Sequence, residues 1–320
     1  MTLALVGDIG GTNARLALWR DSQLSAVRVL PTVDYATPAD AIRTYLAGLN
    51  QPVEALDSVC LACAGPVQDD EFRFTNNHWR ISRRAFSAEL GLRHLQLVND
   101  FAAMALGMTR LDLADRVVVA QGEADPDSPC LVIGPGTGLG VAGLLPLKGG
   151  GWRALPGEGG HVCVPVGSAR EAALWQYLSQ QVDHVEAESV LSGRGLLTLY
   201  RACCSLDGVE PVLQSPAEIT GAALAGDAYA AGVLEQFCAW LGRIVGDNVL
   251  TLGARGGVYI VGGVIPRFVD FFLASGFLDA FRDKGRMSRF LEAVPVWLVT
   301  ADYPGLTGAG VALEQLLEDG

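Results

Sequence analysis

Leu3-Ala-Leu-Val-Gly-Asp-Ile-Gly-Gly-Thr-Asn-Ala-Arg-Leu-Ala-Leu-Trp19 reads as an apolar strand, a glycine-rich turn and a second strand with partial alternation. Paired glycines let a backbone approach a phosphate closely. Successive amides, with the Thr12 hydroxyl, make an anion-binding concavity of the turn. Asp8, at the strand end, is placed to hold Mg²⁺ directly or through water. The plain alternative is an ordinary hairpin with a Gly-Gly turn.

A second stretch answers the first. Cys130 to Leu144 is again strand, Gly/Thr turn and strand, and laying Gly11-Thr12 on Gly136-Thr137 also aligns Ala17 with Ala142. This short internal duplication implies two related lobes. The run Gly134-Pro-Gly-Thr-Gly-Leu-Gly140 offers even more amides to a polyphosphate. A GxGxxG match at Gly138, Gly140 and Gly143 would need to open a helix, and Pro146 with Gly149 to Gly151 forbids a long one.

Lysine supports the pairing of the two turns. Only Lys148 and Lys284 occur, and neither sits in a P-loop or on a kinase strand. If the chain transfers phosphate from ATP, backbone amides and Mg²⁺ must do what lysine does elsewhere.

Composition bounds the rest. With 320 residues, two lobes are the better expectation than one core. Half the residues are apolar and 18% are charged, which argues against disorder. A net charge of −12 repels nucleic-acid backbones and anionic membranes, so neither is an expected partner. Asp8 interrupts the first apolar run, so no signal peptide is read there. The uncharged stretch Cys130 to Leu147 carries Pro135, Pro146 and five glycines, and it reads as strand and turn, not as a membrane span. Seven cysteines, an odd number, suggest reduced thiols and a cytoplasmic protein. The Cys60-x-x-Cys63 spacing lacks the helix start that a redox pair requires.

Strands at Ser58 to Ala64, Leu95 to Val98, Gly257 to Val261 and Val294 to Val299 alternate with helical patterns at 38–49, 101–108, 170–181, 185–204, 216–252 and 308–317, so the class is α/β. Two further motifs carry chemistry. Asn99-Asp100 ends a strand, where a carboxylate faces the ligand crevice of an open α/β sheet. Asp100 is either a general base for an attacking hydroxyl or the N-cap of the helix from Phe101. Pro156-Gly-Glu-Gly-Gly-His161 puts Glu158 and His161 in a glycine-rich loop, and carboxylate with imidazole suits neighbouring hydroxyls of a polar ligand. Glu188, before Ser192-Gly-Arg-Gly195, is a further candidate, and taken alone it reads as a helix-surface glutamate.

These residues, with Thr75-Asn76, Trp79, Leu97-Val-Asn-Asp-Phe101, Leu191-Ser-Gly and Gly256-Gly-Val-Tyr-Ile-Val-Gly-Gly263, resemble the bacterial glucokinase family, the non-zinc group with the hexokinase fold. The resemblance spans the whole chain. It implies a two-lobed actin-like ATPase (RNase H-like) fold, with duplicated βαβ-type lobes and a cleft between them. The C-terminal helix would return to the first lobe, making 1–110 plus about 301–320 the small lobe and 111–300 the large one. It also implies ATP-dependent phosphorylation of the glucose 6-hydroxyl, feeding glycolysis, and a homodimer. Carried onto matching positions, Asp100 is the general base, and Asn99, Asp100, Glu158, His161 and Glu188 bind glucose. Asp8, Ile9, Gly10, Gly11, Thr12 and Asn13 bind ATP, with Gly136, Thr137 and Gly138 on its phosphates and Gly262-Gly263 near the nucleoside.

Gly65-Pro-Val-Gln-Asp-Asp-Glu71 departs from the family, whose members commonly have a glycine soon after the proline. Val162-Cys-Val-Pro165 follows the Gly-Gly-His, where a related group carries a cysteine-rich zinc motif, so no structural zinc is expected. A sugar-sensing regulator would need a DNA-reading domain, for which the strand at Leu3 and the acidic charge leave no place. An actin-like ATPase without a sugar substrate would leave the Glu158–His161 loop without a reason.

Overall fold

The computed structural model describes residues 3–65, 70–74 and 77–318. Thr75-Asn76 and Pro66 to Asp69 of the departing loop lie outside them. The chain divides into two compact units: residues 1–112, 152–156 and 301–320, and residues 113–151 and 157–300.

The first unit is built on a five-stranded sheet. Its strands are β1 (Leu3–Ile9), β2 (Asn13–Arg20), β3 (Gln23–Pro31), β4 (Leu56–Cys63) and β7 (His94–Asn99), in the order β3-β2-β1-β4-β7. Short β5 (Glu71–Arg73) and β6 (Arg80–Ser82) pair separately. β1 and β2 form an antiparallel hairpin, whereas β1, β4 and β7 run parallel. Parallel strands are covered on both faces, which is why residues 59–63 of β4 are uninterruptedly apolar and buried. The register pairs Ile9 with Cys63 and Cys63 with Asn99, so these three strands end together.

Helices α1 (Pro38–Ala47), α2 (Arg83–Leu90) and α3 (Asp100–Gly107) start where caps permit. Thr37 and Asp40 form a reciprocal capping box with Pro38 in the first turn. Helix α11 (Pro304–Glu318) also belongs to this unit and packs on α3, β4 and β1. Its approach to α3 is backbone to backbone. A methyl group added at Gly308 would overlap the carbonyl oxygen of Ala103.

The second unit repeats the pattern. Its strands β8 (Arg116–Ala120), β9 (Cys130–Pro135), β10 (Leu139–Pro146), β12 (Gly257–Ile260) and β13 (Val296–Val299) follow the order β10-β9-β12-β13-β8, and β11 (Trp152–Gly157) straddles the division between units. β9 and β10 are an antiparallel hairpin and β12 runs parallel to β9, as β4 does to β1. The run from Cys130 to Leu147 is thus two strands, and the GxGxxG glycines sit at and within β10, not on a helix. Around the sheet lie α4 (Ala169–Leu178), α5 (Gly193–Asp207), α6 (Pro216–Leu224), α7 (Ala228–Leu252), α8 (Val269–Ala274), α9 (Phe277–Arg282) and α10 (Ser288–Glu292). No helix among the described residues is long and apolar enough to cross a membrane.

Two sequence-predicted helices are divided. The 185–204 pattern is a 3₁₀ turn at Ala187–Ser189 followed by α5, because the Ser192 hydroxyl accepts from Gly195 N at 2.9 Å and caps a new start. The 216–252 pattern breaks before Asp227, which caps α7. All seven cysteines are free, and burial pushes the Cys60 and Cys63 thiols up, away from the thiolate a redox pair needs.

Candidate active site

In the first unit the candidate residues gather at the ends of β1 and β7. The turn after β1 closes with Gly10 N donating to Asn13 O at 2.9 Å. Asn77 Nδ2 donates to Gly10 O at 3.0 Å, and the Thr32 hydroxyl donates to Gly11 O at 3.0 Å and Thr12 O at 3.1 Å. Three turn carbonyls are thereby engaged by the protein. That polarity suits an anion site, since carbonyls aimed at a phosphate would repel it.

Asp8 faces Arg15 across the hairpin, with Oδ2 3.1 Å from Nη1. Burial raises the Asp8 pKa, and the Arg15 charge and hydrogen bond pull it back down. A half-buried carboxylate that already faces Arg15 gains from a second cation. The donor set fits Mg²⁺ held through water and phosphate oxygens better than a cage of protein ligands.

Asn99, not Asp100, is the N-cap of α3: its Oδ1 accepts from Ala102 N at 2.9 Å. Asp100 is the first helical residue, and its Oδ1 accepts from the adjoining Phe101 N at 2.9 Å. The cap therefore does not account for Asp100. Asn99 Nδ2 also donates to Gly65 O at 3.3 Å, so this predicted ligand is well anchored in the protein.

In the second unit the turn after β9 is tight. Gly136 N donates to Gly138 O at 2.7 Å, and Gly193 N donates to Gly136 O at 2.8 Å. Gly262 and Gly263 border it, bracketed by Val261 N to Ile133 O at 2.9 Å and Val264 N to Pro135 O at 3.3 Å. Glu188 belongs to the 3₁₀ turn and is not a helix-surface residue. Its Oε2 accepts from Leu139 N at 2.8 Å, and its carboxylate presses on Gly138, where a methyl group would run into it.

His161 and Glu158 stand beside this strut. Val164 N donates to Val185 O at 3.0 Å and Ala187 N to Val162 O at 2.8 Å, which pairs the His161 segment with the Glu188 segment. His161 Nδ1 lies 2.8 Å from Glu186 Oε2, and Nε2 lies 4.0 Å from Glu158 Oε2. The His161 pKa is raised, first by the Glu186 hydrogen bond and then by the charges of Glu186, Glu188 and Glu158, with burial opposing them. Glu186, the residue before the 3₁₀ turn that holds Glu188, is not among the residues the sequence singles out. His161, Glu186 and Glu188 offer ligand atoms within 4.8 Å of one another. Two of those ligands are already used, by the Nδ1 hydrogen bond and by Leu139 N, and this favours a hydrogen-bonding cluster over a metal centre.

The first unit thus brings residues 8–13 together with 99–100, and the second brings 136–138, 262–263, 158, 161 and 188 together. The glucokinase family model matches residues 5–316. A glucokinase from Pseudomonas aeruginosa (strain LESB58) is 57% identical over 317 residues, covering 99% of this chain and 96% of the relative. A glucokinase from an Antarctic psychrotroph, solved by crystallography, superposes with a TM-score of 0.87 at 36% identity, covering 98% of this chain and 99% of that one. At 24% identity, the fold likeness extends to a glucokinase from Balamuthia mandrillaris solved in complex with glucose, with a TM-score of 0.78 and coverage of 98% and 94%. This chain therefore belongs to the glucokinase family, and its two-sheet α/β architecture is the actin-like ATPase fold of those enzymes.

Proposed function

We propose that this chain transfers the γ-phosphoryl group of ATP to the 6-hydroxyl of D-glucose, giving glucose 6-phosphate. One observation carries the reading: Glu158, His161 and Glu188 cluster beside the Gly136–Gly138 turn, so groups suited to hydroxyls adjoin a turn suited to phosphate. The 57% identity to a bacterial glucokinase supports glucose as the sugar.

In this reading Glu158, His161 and Glu188 grip ring hydroxyls. The second hydrogen of the Asn99 amide reaches another. Asp100 accepts the proton of the attacking hydroxyl as its oxygen bonds to phosphorus. The turns at residues 8–13 and 136–138 bind the phosphates through backbone amides, and Gly262-Gly263 border the nucleoside. Asp8 would hold Mg²⁺, which when bound offsets charge on the phosphate oxygens. The family resemblance adds a homodimer and a cytoplasmic setting. Size-exclusion chromatography with light scattering tests the first, and a monomer at micromolar concentration would count against it.

A coupled ADP-release assay across glucose, mannose, fructose and N-acetylglucosamine tests the function. Glucose should give the highest kcat/KM. ATP turnover that is indifferent to every sugar would leave only an ATPase. The Glu188 strut has its own test. Gly138→Ala should push the carboxylate off Leu139 N and raise the glucose KM about tenfold or more, as expected for losing a hydrogen bond to a charged group. The Glu188 side chain can swing aside, so the melting temperature should barely move. An unchanged KM would separate the strut from sugar binding.

A further inference from the structure

His161 is held at two points. His184 Nε2 lies 3.0 Å from its carbonyl oxygen, and Glu186 Oε2 lies 2.8 Å from its Nδ1. An antiparallel bridge pairs Cys163 with Glu186, and the backbone bonds on either side keep Glu186 from sliding along the His161 segment. A carboxylate only accepts hydrogen bonds, so Nδ1 must carry a proton. Nε2, on the side of Glu158, is then the nitrogen with which the ring meets a ligand.

We propose that Glu186 is a positioning residue for sugar recognition: it fixes the tautomer and plane of His161, so that Nε2 presents an N–H to a hexose hydroxyl. The proposal rests on the reading that His161 contacts the sugar. Its chemistry follows from Glu158. A hydroxyl that donates its proton to the Glu158 carboxylate has only its oxygen lone pairs left to offer. That oxygen needs a donor, and Nε2–H supplies one. With Nδ1–H already given to Glu186, both ring nitrogens donate, so the binding form of His161 is the imidazolium.

The charged groups facing the ring are Glu158, Glu186 and Glu188, all favouring that cation, while His184 turns its two nitrogens to the His161 carbonyl and the Cys163 thiol. The sign follows. His161 has a raised pKa, so the binding form is fully present at low pH and is lost as pH rises through that raised value. Glucose KM should therefore be flat in acid and increase on the alkaline side. Removing the Glu186 charge should move the increase to lower pH.

The test is a mutant cycle on the full chain, reading glucose KM, kcat and melting temperature across pH. Glu186→Ala should raise KM about tenfold while kcat stays within about threefold, the scale of one charge-assisted hydrogen bond. In a His161→Ala background the same change should add nothing further to KM, because Glu186 acts only through the ring. Glu186→Gln keeps the shape without the charge. It should restore most of the affinity at low pH and show the earlier alkaline loss, a readout that a purely structural role would not move. If Glu186→Ala leaves KM unchanged while His161→Ala raises it, the ring is positioned without Glu186 and the proposal falls. An additive loss in the double variant would also overturn it. If His161→Ala itself leaves KM unchanged, the sugar-contact reading fails instead, and the two failures are told apart by that single variant.

Discussion

Asp100→Asn should lower kcat by about 10²–10⁴-fold, the usual contribution of a positioned general base, with glucose KM changed by no more than a few-fold. The replacement is nearly isosteric. Asn can still offer an oxygen to Phe101 N, and the helix keeps its cap because Asn99 supplies it. A melting temperature close to that of the parent would show that the loss is chemical. What disappears is the carboxylate's charge and, on the proposed reading, its capacity to accept the proton of the attacking hydroxyl. Single-turnover kinetics with saturating ATP and glucose would check it. Turnover near the parent rate would require another base.

Gly308→Ala should be the most damaging single methyl group for stability. Its Cβ would overlap the Ala103 carbonyl oxygen of α3, a backbone atom that cannot rotate away. The two helices must separate, which disturbs the packing of Leu306, Ala309 and Leu313, all buried. Overpacking on this scale costs about 3 kcal/mol. For a unit of this size that is a fall in Tm of roughly 6–12 °C. The same substitution at Gly232 is the control. That helical position in α7 has nothing near a new Cβ, so Gly232→Ala should stabilise by up to about 1 kcal/mol. Thermal denaturation of both variants checks the pair, and equal shifts would refute the close-approach argument.

The parts of this molecule that were legible in its sequence are those specified over a few residues. Both glycine turns, their flanking strands and the end of β7 are local features of apolar run, glycine and polar stop. The helix start at Pro38 is equally local, whereas the closing helix, expected from Gly308, begins one turn earlier at Pro304. Errors arose where a side chain's role depends on what the fold brings near it. Asp100 and Asn99 can each cap a helix, and the one-residue difference decides which of them is the N-cap. Glu188 lies in a stretch with helical spacing, yet Ser192 restarts the helix and leaves it in a turn against Leu139. Glu186 is one of 35 acidic residues, and its value comes from a pairing with a segment 23 residues earlier in the chain. Glu171 shows the same limit in the core. It stands in the first turn of α4 and is buried, with Oε2 3.1 Å from Arg243 Nε of a helix some 70 residues away.

The place of α11 has a consequence for synthesis. A ribosome makes the whole of the second unit, residues 113–151 and 157–300, before it makes residues 304–318, which belong to the first. The second unit can therefore fold while the earlier-made sheet of β1, β4 and β7 still lacks the helix that packs against it. The first unit is thus the last to have all its elements, although amino-terminal regions are usually completed first. During that interval the face of the sheet that α11 covers in the finished chain has no helix against it. Synthesis of α11 is the event that ends that interval.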